Sequence, residues 1–109
     1  MARRIDTRLL TNALVDETSG AATCLSSAIQ HAIRVKWSLG TTSGVVEIES
    51  GPDKDYAGTW APLATITWAT ANSVDEWRGA GAFAALRARI STVIAGGTGV
   101  TVDYSQVTA

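Results

Sequence analysis

The residues able to act as a nucleophile, a base or a metal ligand are few in this sequence. His31 is the one histidine and Cys24 the one cysteine. A hydrolytic triad needs a base held beside its nucleophile, and no basic residue near Cys24 in the sequence would favour its thiolate. We therefore expect a surface or strand-end position for His31 and a small, buried apolar role for Cys24.

Carboxylates occur in close pairs, which hydrolyse glycosides when folding sets them at the right separation. The pairs are Asp16-Glu17, Glu47/Glu49, Asp53/Asp55 and Asp75-Glu76. Glu47 and Glu49 fit the wet face of a strand, while Asp53 and Asp55 fit a turn without the further ligands of a calcium loop. Residues 96–99, Gly-Gly-Thr-Gly, lack the Lys-Ser/Thr of a phosphate loop. We expect no enzyme, no cofactor and no metal.

The four tryptophans can fill a core or offer stacking platforms to sugars and proteins. Trp37 and Trp68 lie on the apolar faces of predicted strands, which favours a core position. Trp60 and Trp77 stand at strand ends near Tyr56 and charged residues. For these two, a lid over the core and an interface anchor remain equally compatible with the sequence.

Apolar and polar residues alternate with the period of a β-strand along most of the chain. The pattern predicts strands over 32–39, 46–49, 63–69, 83–90 and 100–105, with a shorter polar candidate over 72–77. The Gly-bounded turn 40–44 predicts a hairpin between the first two. Six or seven short strands joined by Gly-rich turns indicate an all-β, single-domain antiparallel β-sandwich or jelly-roll-like fold.

Residues 1–28 differ from the β-sandwich domain predicted for residues 29–109. They are Arg-rich at the start and lack clean alternation, so we interpret them as an N-terminal arm followed by a loop. Leu9, Leu10, Ala13 and Leu14 are compatible with a short helix or an edge strand. An arm with exposed leucines needs a partner surface. The predicted interface residues are Arg3, Arg4, Ile5, Arg8, Leu9 and Leu10, with Trp60 and Trp77 as possible anchors.

Composition limits the classes of partner. The 109 residues are 46% hydrophobic and 17% charged, which suits one globular domain. Nine basic and ten acidic residues give a net charge of −1, so no overall positive field would attract nucleic acid. No apolar run of about 18 residues predicts a membrane span, and no signal peptide is expected at the start. We expect no nucleic-acid or membrane partner and synthesis in a cytoplasm.

Residues 35–104 carry the landmarks of a resemblance. They include Val35-Lys36-Trp37, the turn 40–44, the strand 45–50, the segment Tyr56 to Leu63, and later strands at 86–91 and 99–104. The pattern resembles small β-sandwich bacteriophage virion proteins, most closely the capsid decoration or cement proteins. The resemblance implies a dimeric or trimeric protein on the capsid surface. It would bind the major capsid protein at capsomer junctions and stabilise the shell.

The alternative is a tail or fibre module that binds a host receptor or glycan. In that case Tyr56, Trp60 and Trp77, beside carboxylates, would form the platform. Exposure of these rings in the free subunit distinguishes the two hypotheses.

Overall fold

The computed structural model describes residues 3–70 and 73–108, in which every regular element is a β-strand. The strands are β1 (Arg4–Ala13), β2 (Ser19–Thr23), β3 (Ala28–Trp37), β4 (Ser43–Gly51), β5 (Ala61–Thr67), β6 (Val74–Ala80), β7 (Ala85–Ala95) and β8 (Val100–Thr108). This confirms the all-β prediction, with eight strands instead of six or seven. Asn72, in the predicted polar strand, lies outside the described residues. No helix in the described part is long and apolar enough to cross a membrane.

The strands form two four-stranded antiparallel sheets, with the orders β1-β8-β3-β6 and β2-β7-β4-β5. Only β4 and β5 are consecutive strands that pair with each other. Every other connection crosses from one sheet to the other. The predicted hairpin across residues 40–44 is therefore wrong, because β3 already has β6 and β8 on its two edges while β4 has β5 and β7.

The core lies between the sheets and consists of the inward-facing residues of the predicted alternation. The side chains of Ile33, Val35, Val46, Ile48, Leu86, Ala88, Ile90, Val100, Val102 and Tyr104 are fully buried. Trp37 is buried with them, and Trp68 packs against this cluster, as predicted. Leu39 departs from its predicted dry face and is 100% exposed, because β3 ends at Trp37 and the chain turns away from the sheet.

The N-terminal segment belongs to the sandwich. β1 is an edge strand paired with β8, β2 pairs with β7, and both Leu9 and Leu10 are buried in the core. The structure thus corrects the reading of residues 4–13 and 19–23 as an arm and a loop, and favours the edge-strand alternative. The pairing of β1 shifts register between Arg8 and Leu10 and again before Ala13, which explains why the sequence does not alternate cleanly.

An ion network is buried on the outer face of the second sheet. Glu49, expected on a wet strand face, is only 6% exposed. Its carboxylate accepts hydrogen bonds from Arg87 Nε at 2.7 Å and Arg89 Nε at 3.2 Å, and Arg89 also bonds Glu17 at 2.9 Å. The Arg87 guanidinium lies 4.6 Å from the centre of the Trp60 ring. The network ties β4 to β7 and covers Trp60.

Candidate functional site

A buried hydrogen-bonded chain joins the two residues first considered for chemistry. His31 Nε2 donates to the carbonyl oxygen of Gly81 at 2.9 Å, which leaves Nδ1 to accept from the Tyr104 hydroxyl at 2.6 Å. The Cys24 thiol lies 3.1 Å from that hydroxyl and donates to it. His31 is 3% exposed within β3, so its predicted surface or strand-end position is wrong, whereas the buried position of Cys24 is confirmed.

Burial favours the protonated forms of the Cys24 thiol and the Tyr104 hydroxyl, which does not activate either as a nucleophile. Burial raises the pKa of the Cys24 thiol more than the Tyr104 hydrogen bond lowers it. Burial, followed by the hydrogen bond with Cys24, also raises the pKa of Tyr104. Because Tyr104 stands between Cys24 and His31, the imidazole does not contact the sulfur as a base would. The three side chains connect β3, β8 and the segment after β2.

The outer face of the first sheet carries a groove, here called the charged groove. It has a volume of about 1040 Å³, and a neighbouring depression of about 410 Å³ shares Arg8, Arg34 and Asp103 with it. Strand register arranges its side chains in rows across the sheet. The rows are Arg4, Val107, Gln30 and Ala80; then Asp6, Ser105, Ala32 and Arg78; then Arg8, Asp103, Arg34 and Glu76.

The charges of this groove differ from those of the whole chain. Five basic residues lie in or beside it, namely Arg4, Arg8, Arg34, Lys36 and Arg78, against three acidic residues, namely Asp6, Glu76 and Asp103. Five positive and three negative charges leave +2 on this face, in a chain whose net charge is −1. The groove is therefore the positive side of the molecule.

Ion pairs within the charged groove hold some of these charged side chains in place. Arg8 Nε lies 2.8 Å from Asp103, and Arg78 lies 3.2 Å from Glu76. The contact between Arg34 and Glu76 is looser at 3.9 Å. All three arginine side chains are more than half exposed, so these pairs leave guanidinium donors accessible to a ligand.

The predicted interface residues are distributed between the groove and the core. Arg4 and Arg8 lie in the groove, while Arg3 is exposed just before β1. Leu9 and Leu10 are in the core, and Ile5 is half-buried on the inward face of β1. The structure therefore brings Arg4 and Arg8 of the predicted set together and separates them from its leucines.

The two predicted anchor tryptophans are covered to different extents. Trp60 is 4% exposed and donates its Nε1 hydrogen to the Tyr56 carbonyl oxygen at 2.9 Å. Trp77 is half-buried, with its ring centroid 6.2 Å from that of Phe83. Trp60 is thus buried beneath Arg87 on the outer face of the second sheet, apart from the core cluster, and it is not available as a stacking platform in this conformation.

Sequence reasoning missed the rest of the groove. In the sequence, Arg34 and Asp103 alternate with apolar residues, which indicates only a wet strand face. Glu76 and Arg78 stand beside Trp77, with no indication that they meet the other charges. Their charges become neighbours because β8 lies between β1 and β3, and β6 lies beside β3. The alternating charges were a visible signal, but the strand order that aligns them was not.

A second surface lies at one end of the sandwich, here called the apolar end. It is formed by the connections 14–18, 38–42 and 96–99, together with the described part of the β5–β6 connection. Of the seven exposed large hydrophobic residues in the described chain, five lie at this end, namely Leu14, Val15, Leu39, Val74 and Val93. Only the connection 14–18 contributes charged residues, Asp16 and Glu17.

The connections at the apolar end contact one another. Thr98 N donates to Ser38 Oγ at 2.8 Å, and Thr42 N donates to the Ala95 carbonyl at 2.8 Å. Ile94 N donates to the Leu14 carbonyl at 2.9 Å, which places Leu14 beside the end of β7. Leu14, Val15 and Leu39 therefore stand on connections at this end, while Val74 and Val93 lie near the ends of β6 and β7 beside them.

Comparisons with known proteins relate this chain to others by fold. No family model matches the sequence, and no curated protein matches it. Among solved structures, the YomS protein derived from the SPBc2 prophage is similar, with a TM-score of 0.69 and 13% identity over 99% of this chain and 96% of that one. A structure of Bacillus endospore appendages, described as disulfide-linked pili, matches with a TM-score of 0.49 and 20% identity over 99% of this chain and 85% of that one. The likeness to YomS shows a shared fold.

Proposed function

We propose that this chain is a structural protein of a bacteriophage particle and acts as a capsid decoration, or cement, protein. The fold supports the broader class, since YomS is prophage-derived and matches over nearly its full length. The strand orders β1-β8-β3-β6 and β2-β7-β4-β5 also follow the winding of an eight-stranded jelly roll, an architecture used by viral capsid and lectin domains.

The apolar end is the observation that carries this proposal. Leu39 is 100% exposed, Val15 62% and Val93 52%, which is unusual for hydrophobic residues gathered on one side of a small domain. The connections 38–42 and 96–99 contain no charged residue, so binding a protein there would bury apolar area without desolvating charges. Such a surface suits lasting contact with a protein shell.

We propose that the protein stabilises the capsid by burying additional surface area where it binds the shell. Each copy would bind the major capsid protein at a junction between capsomers, on the outer surface of the virion. Every bound copy stabilises the assembled state over the dissociated one by mass action. If the chain is a dimer or trimer, each oligomer would engage several shell subunits together and gain avidity. No reaction is required of the protein.

Co-sedimentation with capsid shells stripped of minor proteins tests this role. We expect saturable binding in a fixed ratio to the major capsid protein. The double variant Leu39→Ser and Val93→Ser should weaken binding at least tenfold. Ile29→Ser is the matched control, because Ile29 is 48% exposed at the opposite end of β3. Absence of saturable binding would overturn the decoration role, and equal loss in the control would overturn the assignment to the apolar end.

The alternative, a tail or fibre module that binds a receptor or glycan, loses its predicted aromatic platform. Trp60 is buried beneath Arg87, and only Tyr56 of that set is exposed, at 38%. Stacking of a sugar on Trp60 is therefore excluded in this conformation. A glycan would have to bind elsewhere, and the charged groove is the surface with the required polar groups.

A further inference from the structure

The floor of the charged groove is built from small side chains. Ala32 and Ser105 face each other in the central row, and Gly79 and Ala80 line the side formed by β6. Arginines on three strands stand around them, since Arg4 lies on β1, Arg34 on β3 and Arg78 on β6. Small residues between long ones leave a trough in the outer face of the sheet.

The trough extends beyond a single pocket. Both depressions are lined by Arg8, Arg34 and Asp103, so they adjoin at this row, and on β3 their combined lining runs from Gln30 to Trp37. At roughly 3.3 Å per residue this distance is about 23 Å. A site of this length fits a linear polymer better than a compact metabolite.

The donors and acceptors of the groove define the chemistry of that polymer. Arginines bind carboxylate, sulfate or phosphate groups through paired N–H donors, and the face has an excess of two positive charges. Asp6, Glu76 and Asp103 add carboxylates among them, which accept hydrogen bonds from hydroxyl groups and repel closely spaced anions. A hydroxyl-rich polymer with widely spaced anionic groups can bind the arginines through its anions and the carboxylates through its hydroxyl groups.

Other polymers fit this surface less well. Single-stranded nucleic acid carries a phosphate on every nucleotide and is bound through aromatic rings that stack on its bases. Among the described residues that line the two depressions, the only Phe, Tyr or Trp is Trp37, which is 3% exposed. Protein interfaces are depleted of Asp, Glu and Lys at their centres, whereas three carboxylates, Asp6, Glu76 and Asp103, line this groove. We propose that the charged groove binds a linear acidic glycan. This inference does not depend on the decoration role.

Isothermal titration against a panel of linear acidic oligosaccharides, namely hyaluronan, polysialic acid and oligoalginate, tests the proposal. The neutral probe is chitohexaose and the nucleic-acid probe is oligothymidylate. We expect at least one acidic glycan to bind at least tenfold more tightly than either of these. Binding to none of the acidic glycans, or equal binding to oligothymidylate, would overturn the proposal.

Variants locate the site. Arg34→Gln with Arg78→Gln should weaken glycan binding at least tenfold, because both side chains lie in the groove and make few internal bonds. Ala32→Phe should abolish binding without changing any charge, since it fills the floor. Lys54→Gln is the control, as it removes a positive charge from an exposed turn outside the groove. Thermal melts confirm folding of each variant. Unchanged binding in folded Ala32→Phe would overturn the site.

Discussion

Tyr104 is the residue on which the interior depends most. It is fully buried, and its hydroxyl is the one group between the His31 imidazole and the Cys24 thiol. Both neighbours are themselves buried, so neither has water as a substitute partner. No buried side-chain nitrogen or oxygen in the described residues lacks a hydrogen-bond partner. Removing this one oxygen would leave unsatisfied groups on two other residues.

Tyr104→Phe should lower the free energy of unfolding by about 1–3 kcal/mol, since it leaves buried polar groups unpaired while the ring still fills its space. Chemical denaturation measures the change. Tyr56→Phe is the matched control, because it deletes the same hydroxyl from a side chain that is 38% exposed. Equal stability of Tyr104→Phe and the unmodified protein would contradict the hydrogen-bonded chain.

Tyr104 should also make the folded protein less stable in alkali. Burial, with the Cys24 contact, raises the pKa of Tyr104 in the folded state above the value of about 10 expected when it is unfolded. The contribution of Tyr104 to the free energy of unfolding is therefore complete below about pH 10. It is lost as the pH rises further, because only the unfolded chain releases the hydroxyl proton easily. Denaturation midpoints measured from pH 8 to pH 11 should fall less steeply in Tyr104→Phe. A slope identical to that of the unmodified protein would argue against this linkage.

At the scale of elements, the ion network on the second sheet fixes the strand pairing. Register places Glu49 opposite Arg87 and Glu47 opposite Arg89 across β4 and β7. Burial raises the pKa of Glu49, but hydrogen bonds from Arg89 and Arg87 outweigh this effect, so the pKa is lowered overall. A lowered carboxyl pKa stabilises the folded state above the unfolded pKa, and this contribution is lost as the pH falls.

Glu49→Gln should lower the free energy of unfolding at pH 7 by about 2–4 kcal/mol, because it leaves the partly buried Arg87 without its carboxylate and Arg89 with only the exposed Glu17. Its stability should also fall less between pH 5 and pH 3 than that of the unmodified protein. Denaturant titrations at each pH measure both effects. Glu47→Gln is the control on the same strand, where the carboxylate bonds the hydroxyls of Thr65 and Ser91. A Glu49→Gln loss no larger than that of Glu47→Gln would contradict the network.

For the whole molecule, the N-terminal strand is a structural part of the sandwich. β1 pairs with β8 along nearly its full length, and Leu9 and Leu10 enter the core. A Cβ atom at Gly20 would collide with the carbonyl oxygen of Leu9, so only glycine allows β2 to lie this close to β1. The strand therefore contributes both to one sheet and to the packing between the sheets.

Deleting residues 1–13 should abolish the cooperative unfolding transition, because it exposes the edge of β8 that pairs with β1 and removes two buried leucines. Truncating a buried leucine to alanine alone costs about 2–5 kcal/mol of stability. Differential scanning calorimetry measures the transition. Deleting residues 1 and 2 should leave the transition nearly unchanged, because Arg3, whose backbone bonds Thr108, is retained. A sharp transition in the longer deletion would show that the segment is a dispensable arm.

The sequence by itself determined the class of fold and the inner face of the main strands. Ile33, Val35 and Trp37 on β3, and Val100, Val102 and Tyr104 on β8, face the core because strict alternation allows one apolar face. It also led to the correct buried position of Cys24. These features depend on neighbours along the chain.

Only the tertiary structure decided which strands are neighbours. The bulges of β1 concealed its alternation, and the crossing of β3 to β4 between sheets replaced a locally plausible hairpin. The burial of His31, the covering of Trp60 by Arg87 and the charged groove all follow from contacts between strands distant in sequence. Such contacts depend on which strand edges are already occupied, and a local pattern of residues does not contain that information.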